Sequence, residues 1–112
     1  MRRGEIWWAE LSDPIGSAPG FSRPVIVVSA DRFNNTSIAT ITVVYIYSNL
    51  SHARHLGNVV LPSRDTGLDR DSIANVTQVG TIDKQQARAR IGAVPPSLML
   101  QIDAGLRLAL AL

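Results

Sequence analysis

The segment from Ile38 to Tyr47 constrains the fold of this chain more than any other. Its sequence, IATITVVYIY, is dominated by isoleucine, valine, threonine and tyrosine, which are residue types enriched in β-strands. It is the strongest strand signal in the chain. The sequence therefore predicts a protein in which β-structure dominates.

Shorter strand patterns lie on both sides of this segment, separated by polar or glycine- and proline-rich connections. The connections are a long loop over residues 12–22, a turn or single helical turn over residues 30–37, a polar segment over residues 48–57 and a charged turn over residues 64–70. The other strands are predicted at Gly4 to Leu11, Pro24 to Ser29, Asn58 to Leu61, Ser72 to Ile82 and Arg88 to Val94. About five to seven short strands of this kind tend to curl into a barrel, which removes unpaired edges.

A single helix is predicted at the C-terminal end. Pro95 and Pro96 suit its first turn, and apolar residues then recur every four positions. The recurring residues are Leu98, Ile102, Leu106 and Leu110, with Met99 and Leu108 beside them. This spacing predicts that one stripe of the helix is buried. The expected fold is mostly β with a C-terminal helix, a small barrel formed by one domain over residues 1–112.

The composition is that of a globular protein, with 46% hydrophobic and 18% charged residues. There is no cysteine, which excludes disulfides and thiolate zinc sites and favours a reducing compartment. The first residues, MRRGEIWWAEL, contain no long apolar stretch, so we expect neither a signal peptide nor a membrane span. The simplest expectation is a cytoplasmic protein.

Arginine supplies ten of the eleven basic residues, although the net charge is only +2. The planar guanidinium group matches phosphate oxygens better than the lysine ammonium group does. The arginine bias therefore agrees with phosphate binding, but a GC-rich genome produces the same bias without any such role. Both explanations stay open at this point.

Several kinds of catalytic site are excluded or disfavoured. The chain has no G-x-S-x-G nucleophile motif, no cysteine nucleophile and no P-loop. His52 and His55 are the only histidines and lack a carboxylate beside them, which favours a solvated loop over a metal site. Asp65, Asp69 and Asp71 each lie beside an arginine and are interpreted as solvated surface charge. We therefore expect no metal and no cofactor.

The remaining chemical groups collect at predicted strand ends. They are Arg23 at the start of one strand, Tyr47, Ser48 and Asn49 at the end of the next, and Thr77 and Gln78 at the end of another. If the first two strands pair antiparallel, Arg23 lies beside Tyr47 or Ser48, and Thr77 and Gln78 line the same mouth. Such a pocket suits an RNA phosphodiester. RNA carries its own 2′-hydroxyl nucleophile, so the site must supply only alignment, charge stabilisation and proton transfers.

The chain resembles the MazF/PemK toxins of bacterial toxin–antitoxin pairs over nearly its whole length. The matching stretches are RGEIWWAEL, the GS at residues 16–17, SRPVIVVS followed by DRFN, IYSN, QVGTIDK and LMLQIDAGLRLAL. The resemblance implies an SH3-like barrel that forms a homodimer in the bacterial cytoplasm. It also implies a metal-independent, sequence-specific endoribonuclease (an mRNA interferase) that cuts single-stranded RNA and arrests growth. The implied products carry 2′,3′-cyclic phosphate and 5′-hydroxyl ends, and a cognate antitoxin is implied to wrap the dimer and block the RNA site.

The resemblance also implies roles for particular residues. The family's catalytic arginine, which precedes the proline of an RP pair, falls on Arg23, with Tyr47 and Ser48 as its catalytic partners. Together with the strand-end residues above, the candidate RNA-binding residues are Gly16, Ser17, Pro24, Asn49, Arg54, Thr77 and Gln78. For Arg54, solvated surface charge is an equally good explanation.

Two residues depart from the family pattern. The family usually has threonine where this chain has Tyr47, so either Tyr47 acts from a longer reach, or Ser48 replaces it, or activity is weak. The family's loop often reads GSE, and Ala18 cannot act as a base, which leaves His52 and His55 as candidate substitutes.

An alternative function and an aromatic pair stay open. The alternative is a non-catalytic toxin of the same fold that inhibits a protein target such as a topoisomerase. Trp7 and Trp8 are adjacent, so in a strand they point to opposite faces. One is expected in the core, and the other in the dimer interface or stacked on a base.

Overall fold

The computed structural model describes residues 1–11, Gly16 and residues 21–112. The strands are β1 (Glu5–Glu10), β2 (Ser22–Val27), β3 (Thr40–Tyr47), β4 (Val59–Leu61), β5 (Ser72–Asp83) and β6 (Ala87–Ala93). The helices are α1 (Asp31–Asn34), α2 (Ser63–Thr66) and α3 (Pro96–Leu110), with 3₁₀ turns at Leu50–Arg54 and Lys84–Gln86. The prediction of short strands followed by one C-terminal helix is confirmed. None of the helices in this described part is both long and apolar enough to cross a membrane.

One antiparallel sheet contains the six strands in the order β4-β5-β3-β2-β1-β6. β3, which carries the strongest strand pattern, lies inside the sheet between β2 and β5. Val44 pairs with Val79 but Tyr45 pairs with Asn75, so residues 76–78 form a bulge in β5. A bulge bends its strand and increases the local twist, which helps the sheet to curl.

The curled sheet is a half-barrel rather than a barrel closed by strand pairing. In the described residues its edge strands, β4 and β6, are not paired with each other. Instead α2, which follows β4, packs on β6. Gly92 of β6 lies so close to α2 that a Cβ atom there would overlap the carbonyl oxygen of Thr66. Only glycine therefore lets α2 cover the open side of the sheet.

Side chains that alternate along the strands divide the core into two clusters. The cluster between the sheet and α3 includes Ile6, Ile26, Val44, Ile46, Ile102 and Leu106. The cluster on the other face of the sheet includes Ala9, Val25, Val27, Val43 and Tyr45. β2 and β3 contribute to both clusters, so these two strands are held from both sides. Their ends carry the predicted site residues.

The predicted apolar stripe of the C-terminal helix is only partly buried. Ile102 and Leu106 are buried, whereas Leu108 and Leu110 are exposed. Leu110 lines an open groove of about 340 Å³ together with Val28 and Val79. The buried stripe predicted for this helix is therefore confirmed at Ile102 and Leu106 but does not extend to Leu110 in its last turn.

Candidate active site

Arg23 and Tyr47 lie beside each other where β2 begins and β3 ends. Val25 of β2 pairs with Tyr45 of β3, and Arg23 and Tyr47 each lie two residues beyond this pair. Because side chains alternate with a period of two, Arg23 and Tyr47 occupy the next position on the same face. The Cζ atom of Arg23 is 4.4 Å from the centroid of the Tyr47 ring. This contact confirms the predicted proximity of the two residues.

A cavity of about 370 Å³ opens at these strand ends. Five of the predicted site residues line it: Arg23, Pro24, Tyr47, Ser48 and Asn49. Because the cavity draws on the start of β2 and the end of β3, it combines a cation, a hydroxyl and an amide in one concave surface. These groups can contact an anionic, hydrogen-bonding ligand.

The guanidinium of Arg23 has unused hydrogen-bonding capacity. The residue is half-buried, and its Nε atom is buried without a hydrogen-bond partner among the described residues. None of the ion pairs found in the described part of the chain includes Arg23. A partly desolvated cation of this kind is a strong partner for a phosphate oxygen, because no carboxylate of the described residues is paired with it.

Burial raises the pKa of Tyr47, and the neighbouring Arg23 charge opposes this rise only in part. The pKa of Tyr45 is raised as well, first by burial and then by Tyr47, with Arg23 again acting in the opposite direction. Tyrosine ordinarily titrates near pH 10, so both phenols are neutral at pH 7. Neither is a phenolate base under those conditions.

His52 lies next to Tyr47 and His55 lies next to His52, but neither histidine lines the cavity. The rings of His52 and Tyr47 are 5.2 Å apart between centroids and tilted by 37°, and the His55 ring packs edge-on against His52 at 5.2 Å. His52 Nδ1 is buried and has no partner in the described residues. The proposed substitution of a histidine for a missing base stays a prediction. The part of the chain that is described contains no group of three His, Cys, Asp or Glu side chains placed to share a metal ion.

Sequence reasoning missed the far wall of the cavity. The loop after α2 places Asp69 and Arg70 in the lining, although the sequence predicts only solvated surface charge in this turn. Both side chains are mostly exposed, and Arg70 Nε is 3.9 Å from Asp69 Oδ1, so their mutual pairing is loose. Leu68, which is buried between charged residues, was the available signal that this loop folds back onto the core.

Other predicted site residues are not brought to this cavity. Thr77 and Gln78 lie at the bulge in the middle of β5, not at a strand end, which corrects the placement inferred from the sequence. Arg54 is exposed at the end of a 3₁₀ turn, and Gly16 is exposed with a φ of +60°. None of these four residues lines the cavity. Their roles in RNA binding stay predictions, and Ser17 and Ala18 fall outside the described residues.

The adjacent tryptophans point to opposite faces of the sheet, as predicted. Trp7 packs on the second core cluster, and its Nε1 donates a hydrogen bond to Glu5 Oε1 at 3.1 Å. Trp8 is 40% exposed and lines the cavity beside Pro24. A flat apolar ring is therefore available in the same cavity as Arg23, and a nucleic-acid base can stack on it.

Comparison with solved structures identifies the architecture as the MazF fold. A crystal structure of MazF from Deinococcus radiodurans superposes with a TM-score of 0.83 at 17% sequence identity, covering 100% of this chain and 97% of that one. An endoribonuclease from a mycobacterial species, solved in complex with its cognate antitoxin, gives a TM-score of 0.78 at 22% identity and covers 100% of this chain and 96% of its own. At these identities the likeness establishes the fold alone.

Sequence comparison assigns the family. The model for PemK-like, MazF-like toxins of type II toxin–antitoxin systems matches residues 2–110. Endoribonuclease MazF6 of Mycobacterium tuberculosis is 46% identical over 107 residues, which cover 96% of this chain and 94% of the relative. Endoribonuclease EndoA of Bacillus subtilis is 33% identical over 115 residues, covering 100% of this chain and 96% of the relative. The chain belongs to the PemK-like, MazF-like family of type II toxins, and the resemblance found from its sequence is confirmed.

Proposed function

We propose that this protein is the toxin of a toxin–antitoxin pair and acts as an endoribonuclease on single-stranded RNA. Its curated full-length relatives are named endoribonucleases, which favours a nuclease over the non-catalytic alternative. The observation that carries the proposal is Arg23, a cation that lines a cavity together with the hydroxyl-bearing residue Ser48 and whose buried Nε has no hydrogen-bond partner among the described residues.

The proposed chemistry needs no protein nucleophile and no metal. The 2′-oxygen of the substrate bonds to the adjacent phosphorus while its proton passes to a base. The bond from phosphorus to the 5′-oxygen breaks, and that oxygen takes up a proton. The products are a 2′,3′-cyclic phosphate and a 5′-hydroxyl.

In this proposal Arg23 binds the non-bridging phosphate oxygens and offsets the negative charge that grows as the fifth bond to phosphorus forms. Ser48 donates a hydrogen bond to the same phosphate, and Asn49 and Pro24 shape the cavity around the neighbouring nucleotide. Asp69, on the opposite wall, is the carboxylate available to accept the proton of the 2′-hydroxyl.

The test is cleavage of a long RNA of mixed sequence in EDTA, followed by mapping and chemical analysis of the ends. Wild type is expected to cut at a short recurring sequence. We expect Arg23→Ala to lower the cleavage rate about a hundredfold or more, as loss of an oxyanion-stabilising group does. Arg23→Lys is expected to restore little, since lysine lacks the planar fork.

Arg64→Ala is the matched control, because Arg64 is an exposed arginine on α2 that does not line the cavity. Normal cutting by Arg23→Ala would contradict the proposed role of Arg23. Absence of cutting by folded wild type, together with toxicity that depends on the gyrase allele of the host, would select the non-catalytic alternative.

We also propose an antitoxin partner that covers this cavity. One solved structure with this fold contains an endoribonuclease and its cognate antitoxin, and the family is named for toxins of type II toxin–antitoxin systems. The expected activity in a bacterial cytoplasm is growth arrest, which co-expression of the antitoxin relieves. An RNA with methylated 2′-hydroxyls is expected to compete with the antitoxin for binding to the wild-type toxin, because the RNA and the antitoxin would occupy the same surface.

A homodimer is the third element of the proposal. Leucine side chains are exposed on more than one side of α3: Leu100, Leu108 and Leu110. A helix that is apolar around much of its circumference is usually buried. Sedimentation equilibrium is expected to give a dimer for wild type and a monomer for Leu110→Glu. Ile38→Glu is the control, since Ile38 is a similarly exposed apolar residue outside α3.

A further inference from the structure

The contact between Arg23 and Tyr47 has the geometry of a cation–π interaction. The Arg23 Cζ atom lies over the Tyr47 ring, 4.4 Å from its centroid, within the distance of about 6 Å at which such pairs attract. The half-buried setting of both residues strengthens the attraction, because water screens it less. The ring face therefore acts directly on the group proposed to meet the phosphate.

The hydroxyl of Tyr47 makes no comparable contact. Among the described residues it has no hydrogen-bond partner, whereas Thr36, Thr66 and Thr77 all donate through their hydroxyls. Burial raises its pKa, so the phenol is a weak acid and is not a base at neutral pH. The ring of Tyr47 therefore contacts Arg23, whereas its hydroxyl oxygen makes no contact that suggests a role.

The ring is itself held in place. The His52 ring packs against it at 5.2 Å between centroids, and the backbone carbonyl of His52 accepts a hydrogen bond of 2.9 Å from Asn58 Nδ2. Arg23 and His52 thus both pack against the Tyr47 ring, and His52 belongs to a restrained turn. A ring held in this way limits the orientations open to the flexible arginine side chain that contacts it.

We propose that Tyr47 is a positioning residue whose ring holds the guanidinium of Arg23 in the cavity, while its hydroxyl takes no part in the reaction. This inference rests on the proposed function for its effect on cleavage. Without the Tyr47 ring, the orientation of the Arg23 guanidinium becomes variable. Fewer molecules then present both Nη groups to the phosphate at the same time. The loss is expected in the rate of the chemical step rather than in RNA binding, because the charge itself remains.

Two substitutions separate the ring from the hydroxyl. Tyr47→Phe keeps the ring and removes the oxygen, and Tyr47→Thr keeps a hydroxyl and removes the ring. In single-turnover cleavage we expect Tyr47→Phe to stay within about threefold of wild type and Tyr47→Thr to fall roughly thirtyfold, as the strength of a desolvated cation–π pair implies. The RNA concentration at half-maximal rate is expected to change little in either variant.

A low rate for folded Tyr47→Phe would overturn the inference, and so would a normal rate for Tyr47→Thr. The phenylalanine variant decides the question even where the threonine variant does not fold. Phe33→Leu is the control for removing an aromatic ring, since Phe33 is exposed on α1 and does not line the cavity.

A second readout does not depend on activity. A proton above an aromatic ring face resonates upfield, so the Arg23 Nε–H signal is expected to lie upfield in wild type and Tyr47→Phe. In Tyr47→Thr it is expected to move to the position of an arginine without a ring neighbour. An unchanged signal in Tyr47→Thr would overturn the stacked geometry. If wild type fails to cut RNA, the proposed function has failed, but this signal still tests whether the ring holds Arg23.

Discussion

Gly105 of α3 lies directly against the backbone of Gly57, in the connection before β4. A Cβ atom at residue 105 would overlap the carbonyl oxygen of Gly57 and would also lie 3.0 Å from Val76 Cγ1. Neither neighbour is the far end of a flexible side chain. The contact sets how closely the helix approaches the sheet. Whether Gly105→Ala raises or lowers the stability of the protein therefore tests how rigid this contact is.

We expect Gly105→Ala to destabilise the protein by about 1–3 kcal/mol, the usual effect of overpacking a tight contact. Helix propensity alone predicts the opposite sign, a gain of about 1 kcal/mol for replacing glycine by alanine. Urea unfolding measures which effect dominates. Ala104→Gly, at an exposed position of the same helix, calibrates the propensity effect. An increase in stability for Gly105→Ala would show that the helix can move away from Gly57 at little cost.

Arg70 and Arg64 form a natural matched pair for RNA binding. Both are exposed arginines on the segment after β4, but only Arg70 lines the cavity. For RNA with methylated 2′-hydroxyls, which cannot be cleaved, we expect Arg70→Ala to weaken binding. The slope of the logarithm of affinity against the logarithm of salt concentration should become shallower by about 0.7, the effect of one lost phosphate contact on a single strand. Arg64→Ala is expected to leave both quantities unchanged, and equal effects of the two variants would contradict the assignment.

Ser48, at the end of β3, is a hydroxyl in the cavity that remains available to the phosphate if only the ring of Tyr47 is used. We expect Ser48→Ala to lower the single-turnover cleavage rate about tenfold to a hundredfold, a range typical of losing one contact made in the transition state. Ser48→Thr retains the hydroxyl and should restore most of the rate. Ser97→Ala, an exposed serine on α3, is the control. Full activity of Ser48→Ala would remove Ser48 from the proposed mechanism.

Glu5 connects three parts of the molecule through its carboxylate. Oε1 accepts hydrogen bonds from the Arg2 backbone N–H and from Trp7, and Oε2 accepts one from Arg90. Burial is the largest single influence and raises the pKa of this carboxyl. The three hydrogen bonds and the Arg90 charge lower the pKa, and together they outweigh burial, so the net pKa lies below its usual value. The carboxylate form is therefore stabilised by folding.

Because the folded-state pKa of Glu5 is lower than the unfolded one, the stabilisation is present above the unfolded pKa and is lost as the pH falls through the folded pKa. We expect Glu5→Gln to reduce the free energy of unfolding by about 1 kcal/mol at pH 7. The difference from wild type should shrink below about pH 4. Glu10→Gln is the control, since Glu10 pairs with Arg88 at a more exposed site and should lose less. A difference that does not vary with pH would contradict this account.

Much of the architecture could be predicted from local patterns. The β-branched run ending at Tyr47 predicted the central strand β3. Because β3 is the next strand in the chain after the one that begins near Arg23, the sequence also predicted that these two strands pair antiparallel. Strand pairing between consecutive segments depends on short connections and on side-chain alternation, which are both visible in a sequence. The placement of Arg23 beside Tyr47 followed from these two facts.

The far wall of the cavity could not be predicted in this way. Asp69 and Arg70 reach the cavity because their loop folds back from the edge of the sheet. Thr77 and Gln78 miss it because the end of β3 pairs with the start of β5, and these two residues lie further along that strand. Both features depend on pairing between segments that are far apart in the chain.

Composition and periodicity alone thus determine that this chain forms short antiparallel strands and that one of them begins beside the cation Arg23. The register of β5 against β3, the close approach of glycine backbones and the curl of the sheet decided which other groups share the cavity with that cation. Those quantities arise from packing in three dimensions, where one bulge shifts every later residue of a strand relative to its neighbour.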